Sequence, residues 1–169
     1  GCSIHAYVLM TNHVHLIASF EDVTGPAMLM KALSQRYSQY FNWWYDRTGS
    51  LWEGRYRSSL VADESYLLAC YRYVELNPVR AEMVQGPQEY RWSSYHGNAG
   101  THEDALLAPH GLYGSLGLSA AQRQQSYREL FLHEIDAVTL EKIREAIRSN
   151  RAIGCPPGTR GRPRKPSIH

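Results

Sequence analysis

Two short apolar runs broken by a polar pair occupy residues 4–20, and apolar positions recur every three to four residues from 29 onward. The runs "IHAYVLM" (4–10) and "HVHLIASF" (13–20) are β-rich and are separated by Thr11-Asn12, which predicts a hairpin with a two-residue turn. Gly25-Pro26 opens "AMLMKALSQRYSQYFNWWYDRTG", where Leu29, Leu33, Tyr37, Tyr40, Phe41 and Trp44 follow helical spacing and Gly49 offers a stop. Amphipathic packing assigns these aromatics to the core, with a base-stacking platform as the alternative. "LWEGRYRSSLV" (51–61) predicts a third strand carrying Arg55 and Arg57 on one face. Asp63 can cap a helix "ESYLLACYRYVELN", which Pro78 ends at Asn77. "QGPQEYRWSSYHGNAG" reads as loop, and "SAAQRQQSYRELFLHEI" and "TLEKIREAIRSN" as two further helices. Pro156-Pro157-Gly158 then leads into a basic tail, and no internal repeat is present.

Composition narrows the class. The 169 residues suffice for one domain with a real core, and 43% hydrophobic and 20% charged residues are ordinary for a globular chain. No apolar run approaches the roughly 18 residues of a membrane span. Cys2, Cys70 and Cys155 are scattered and odd in number, without a C-x-x-C pair, which argues against a disulfide framework and predicts a reducing cytoplasmic setting. The net charge of +2 is uneven: without Arg160, Arg162, Arg164 and Lys165, 14 basic residues face 16 acidic ones. A nearly neutral body therefore carries a basic arm, which either meets nucleic acid or only solubilises the chain.

Two features hold candidate chemistry. In "TNHVHL" (11–16), His13 and His15 lie on one side of a strand with Val14 on the other, so two neutral imidazoles project together. Alone, the pair reads equally as two solvent-facing histidines, since a metal site needs more ligands. On the helix over 64–77, Tyr66, Cys70, Tyr73 and Asn77 share a face at offsets of four, three and four. Tyr73 and Asn77 are one turn apart, a phenol beside an amide oxygen. If that face looks at the hairpin, His13, His15 and Asn77 can form a metal triad with open positions for Mg²⁺ or Mn²⁺, and Tyr73 can attack phosphorus. The competing reading makes Tyr73 a core aromatic and Asn77 a helix-end residue before proline.

"CSIHAYVLMTNHVHLIAS" resembles the H-hydrophobic-H block of the HUH single-tyrosine transposases. "GSLWEGRYRSSLVADESYLLACYRYVELNPVRAEMV" resembles the REP-associated tyrosine transposases, the bacterial branch linked to repetitive extragenic palindromes. "YRWSSY", "PHGLYGSLGLSAAQRQQSYRELF" and "GRPRK" are similar to that family too, so the resemblance covers nearly the whole chain. It implies an α+β, ferredoxin-like (βαββαβ) catalytic domain over 1–98, a helical extension over 99–154 and an AT-hook-like tail over 155–169. Metal-binding histidines fall on His13 and His15, the third ligand on Asn77, and the nucleophile on Tyr73 in its Y-x-x-x-N pattern. Tyr71 lies about 200° from Tyr73 around a helix, and Tyr66 sits two turns before Tyr73, too far for one-turn pairing with Asn77, so both are poorer nucleophile candidates.

The implied activity is metal-dependent cleavage and rejoining of sequence-specific single-stranded DNA near palindromic hairpins, through a 5′-phosphotyrosine and without a nucleotide cofactor. Arg55, Arg57, Arg72 and Arg80 are candidate phosphate contacts, as are Arg160, Arg162, Arg164 and Lys165 in the tail. No membrane partner is implied, and monomer or homodimer is left open. The family carries an opening strand and helix before the hairpin that do not occur here, so the expectation is a truncated, poorly stable frame. "CPPGT" also replaces a short segment before the tail. A DNA-hairpin-binding regulator that does not cut is the alternative function, and a metal-dependent phosphodiesterase with Tyr73 as bystander is a weaker one.

Overall fold

The computed structural model describes residues 1–154. The basic tail, with Arg160, Arg162, Arg164 and Lys165, lies outside the described residues. Strands β1 (Cys2–Leu9) and β2 (Val14–Phe20) pair antiparallel with Leu9 opposite Val14. The Met10 amide donates to the His13 carbonyl at 2.9 Å, so Thr11-Asn12 forms the expected two-residue turn. The register slips between Ile4 and Ala6, which makes His5 the extra residue of a β-bulge. Its Nδ1 lies 2.6 Å from the Ala108 carbonyl and its Nε2 2.9 Å from the Ser19 hydroxyl. A carbonyl only accepts, so Nδ1 donates to Ala108 and Nε2 shares a hydrogen bond with Ser19. The outer edge of β1 is bonded by later segments: Leu9 donates to Trp92, Ser94 to Tyr7 and Ala108 to Ile4, at 2.8–2.9 Å.

The sheet has two strands among the described residues, and β2 pairs only with β1. The expected strand over 51–61 is absent. Residues 53–58 are exposed and irregular, and Val61 alone bridges to Ile153. A strand exists only where a neighbour takes its amides and carbonyls. This run finds one at its end, where Ile153 donates to Leu60 at 2.7 Å and Ala62 donates to Ile153 at 2.9 Å. The observed class is α+β.

Helix α1 (Gly25–Trp44) starts at Gly25-Pro26 as expected and ends five residues before Gly49. Its aromatics are not core: none of its residues is buried. The pattern supplied an amphipathic face, but no described element covers it.

The second helix is shorter than its pattern predicts. Asp63 accepts from the Ser65 amide at 2.9 Å and caps a 3₁₀ turn (Glu64–Tyr66), which leads into α2 (Leu67–Glu75). Pro78 has no amide to continue α2 and would clash with the carbonyl of Val74. The chain instead restarts as α3 (Asn77–Arg80), with Pro78 in its first turn, where proline is tolerated.

The stretch expected to be loop contains a 3₁₀ turn (Pro87–Glu89) and α4 (Tyr95–Asn98). Then come α5 (Gly111–Gly114), α6 (Ala120–Glu129) with a Ser119–Gln122 capping box, a 3₁₀ turn (Leu130–Leu132) and α7 (Ala137–Ser149). Ala6, Leu67, Tyr71, Tyr95, Ala99, Tyr113 and Tyr127 form one buried cluster, so residues on both sides of position 98 share a core. Ile143 and Ala146 of α7 pack on Cys70.

Glu75 closes α2 at the centre of this core and is completely buried. Oε1 accepts from Ser94 at 2.6 Å and Asn98 at 2.9 Å, and Oε2 accepts from Tyr127 at 2.7 Å. Burial outweighs these donors and pushes its carboxyl up to about 7. Ser94 Oγ also lies 3.1 Å from the Tyr7 carbonyl. When Glu75 is protonated it can donate to Ser94, which then donates to Tyr7. No helix among the described residues is long and apolar enough to cross a membrane.

Candidate functional site

The hairpin turn and α2 bring His13, His15 and Tyr73 together, with Asn77 of α3 bonded to the Tyr73 carbonyl. His13 sits at the base of the turn and His15 on β2, their ring centroids 5.0 Å apart and perpendicular. The Tyr73 ring lies 5.9 Å from that of His15. Packing fixes this meeting: Val8, Val74 and Tyr90 form a buried cluster that Met10, Ile17 and Tyr73 join from the hairpin and from α2. Of the face read from the sequence, Tyr73 is thus turned to the hairpin, while Cys70 and Tyr66 meet α7.

Both imidazoles suit cation ligation. Burial, with His13 and Arg80 nearby, lowers the His15 pKa to about 4, so its ring is neutral at physiological pH. His13 Nδ1 lies 2.7 Å from Asn12 Oδ1. An amide oxygen only accepts, so Nδ1 donates in this pair and Nε2 is the ring nitrogen left to face a cation. Asn77 Nδ2 donates to the Tyr73 carbonyl at 3.4 Å, which leaves Oδ1 free. Two imidazoles and one amide oxygen make up the donor set, and no group of three His, Cys, Asp or Glu that could hold a metal ion occurs among the described residues. Such a set fits a divalent cation that takes its remaining hard oxygen ligands from substrate or water.

Arg80 is part of this site rather than a free surface charge. Its guanidinium carbon stands 4.5 Å from the Tyr73 ring centroid, and it also donates to the Tyr73 carbonyl. One arginine therefore holds both the ring and the backbone of that tyrosine. The other candidate arginines are elsewhere. Arg55 and Arg57 are exposed in the irregular segment, and Arg72 donates to the His133 carbonyl toward the C-terminal helices.

The rival nucleophiles are occupied or hidden. Tyr71 is 1% exposed against Tyr127, and burial raises its pKa far above the phenol range. The Tyr66 hydroxyl accepts from Lys142 at 2.9 Å. Burial pushes the Cys70 thiol up to about 12, which makes it inert. The sequence reading missed Asn12, which sets the His13 tautomer, and Glu75. The signal for Asn12 is an amide directly before the H-x-H pair. For Glu75 it is the offset of four from Tyr71 and eight from Leu67, on the buried stripe.

Neither a curated protein nor a solved structure matches the chain. Residues 1–77, which include both histidines, Tyr73 and Asn77, match the family model described as "Transposase IS200 like", and that match supports the transposase family.

Proposed function

We propose that the protein cleaves and rejoins single-stranded DNA at palindromic hairpins, in the manner of a REP-associated tyrosine transposase. The observation that carries this reading is the meeting of His13, His15 and Tyr73, contributed by a hairpin and a helix far apart in sequence. His13, His15 and Asn77 would hold Mg²⁺ or Mn²⁺, which when bound polarises a phosphate oxygen as a Lewis acid. Tyr73 Oη attacks the phosphorus and the phenolic proton passes to solvent at this half-exposed site. The bond to the 3′ oxygen breaks, and that oxygen takes a proton from water. The products are a 5′-phosphotyrosine and a free 3′-hydroxyl. The covalent link conserves the bond for rejoining, so no nucleotide cofactor is required. Arg80 keeps the Tyr73 ring aimed, while Arg55, Arg57, Arg72 and the basic tail are the proposed phosphate contacts. In this reading the frame is ferredoxin-like, and the outer edge of β2 is where a further strand adds.

The test is covalent trapping on a hairpin oligonucleotide with Mn²⁺. Tyr73→Phe should abolish the adduct on a denaturing gel while hairpin binding survives. His13→Ala, His15→Ala and excess chelator should each remove cleavage. An adduct that persists in Tyr73→Phe overturns the nucleophile, and undiminished cleavage in chelator overturns the metal.

A further inference from the structure

The face of α1 that the core does not use has its own organisation. On one flank, Phe41 packs against Tyr37 at 6.0 Å and Tyr45 at 4.4 Å, and Trp52 lies 6.0 Å from Tyr37 with its Nε1 donating to the Ser34 carbonyl at 3.1 Å. Asn42 donates to the Gly49 carbonyl at 2.8 Å. These contacts fold residues 45–52 back along the helix. The other flank is left to solvent: Tyr40 is 56%, Trp43 76% and Trp44 61% exposed. Tyr40 and Trp44 are stacked 6.2 Å apart with 24° between their planes, and Trp43 stands 6.0 Å from Trp44.

Charge singles out the same segment. Residues 25–57 carry five basic side chains (Lys31, Arg36, Arg47, Arg55, Arg57) against two acidic ones, whereas the rest of residues 1–154 carries nine basic against fourteen acidic. Arg36 precedes Tyr40 by four residues and Trp43 by seven, so it borders the exposed rings. Arg47 stands 5.7 Å from the Phe41 centroid, at the end of the helix. A net-positive segment on an otherwise acidic body attracts a polyanion. Exposed rings beside it select one whose bases are unpaired, since duplex bases are already stacked on each other.

We infer that the C-terminal end of α1, through Tyr40, Trp43 and Trp44 with Arg36 beside them and Arg47 on the adjoining Phe41 flank, is a stacking platform for single-stranded DNA. This rests on the DNA-strand reading above and adds a second contact region, distinct from the histidine–tyrosine centre. It takes the unpaired strand flanking a hairpin and has no part in the chemistry.

The test is fluorescence anisotropy of the full chain with a labelled oligothymidylate of about 20 nucleotides. Trp43→Ala/Trp44→Ala should weaken binding by about tenfold or more. Trp43→Phe/Trp44→Phe should retain most of it, and Trp92→Ala, at an exposed tryptophan elsewhere, should leave it unchanged. Circular dichroism and size-exclusion chromatography with light scattering are run on every variant. Unchanged affinity in the folded double-alanine variant overturns the platform and leaves the strand-cleavage reading standing. A wild-type chain that binds neither the oligothymidylate nor hairpins overturns that reading and the platform with it. Unchanged DNA affinity together with a dimer that falls to monomer in the double-alanine variant shows a self-association face, and also overturns it.

Discussion

Helices α1 and α2 both carry aromatic residues at helical spacing, yet they have opposite fates. In its nine residues α2 buries Leu67, Cys70, Tyr71, Val74 and Glu75, whereas α1 buries none of its twenty. The difference is in what meets each face. The α2 stripe is met by β1, by tyrosines of α4, α5 and α6, and by α7. The α1 stripe meets mainly its own following loop. Periodicity specifies a face; a partner decides whether that face becomes core. Where no partner arrives, basic residues beside the rings give the face another use.

The contrast can be broken most forcefully at Glu75. Glu75→Ala orphans donors on Asn98 and Tyr127, each costing about 1–3 kcal/mol, and leaves a buried cavity, while Ser94 can turn to the Tyr7 carbonyl. Thermal unfolding should show a loss of at least about 3 kcal/mol, or no cooperative transition, whereas Leu33→Ala on α1 should stay within about 0.5 kcal/mol. Comparable losses for the two would mean that α1 is as tightly packed as α2.

A second effect follows from the titration of Glu75. Its folded pKa, about 7, lies above the usual carboxylate value of 4.5. Between those values the unfolded chain has released the proton and the folded chain keeps it. The stabilising contribution is therefore complete below pH 4.5 and is lost as the pH rises to 7. Melting temperatures recorded across that window should fall for the wild type relative to Glu75→Gln. Parallel curves would mean that Glu75 is ionised throughout.

The smallest effect is expected at Tyr71, whose buried hydroxyl has no hydrogen-bond partner. Tyr71→Phe removes that polar atom with little change in shape and should raise stability by about 1 kcal/mol. A loss of stability in denaturant titration would show that the hydroxyl is paired.

How much of this was legible in the sequence follows from the range of the interactions. The hairpin, its Thr11-Asn12 turn, the Asp63 cap and the shared face of Tyr73 and Asn77 depend on neighbours a few residues away, and all could be read. The segment 51–61 has strand composition but lacks a ladder partner, which no local pattern reports. Pro78 was read correctly as a breaker, but α2 stops at Glu75 because the clash falls on the preceding turn. Helical spacing assigns the α1 aromatics to the core by default, and the lack of a covering partner is again something no local pattern reports. Glu75 escaped notice because a carboxylate is taken for surface unless its offset from Tyr71 and Leu67 is counted.

The double hold of Arg80 on Tyr73 bears on the order in which the site assembles. Tyr73, Asn77 and Arg80 lie within eight consecutive residues, so their mutual contacts close early and at little entropic cost. His13 and His15 reach them only across a loop of more than fifty residues, and such closures come late in folding. The tyrosine half is thus set as its helices form, while the histidine half waits for the hairpin to dock on Val74. A chain whose hairpin has not yet docked would therefore hold an oriented Tyr73 apart from His13 and His15.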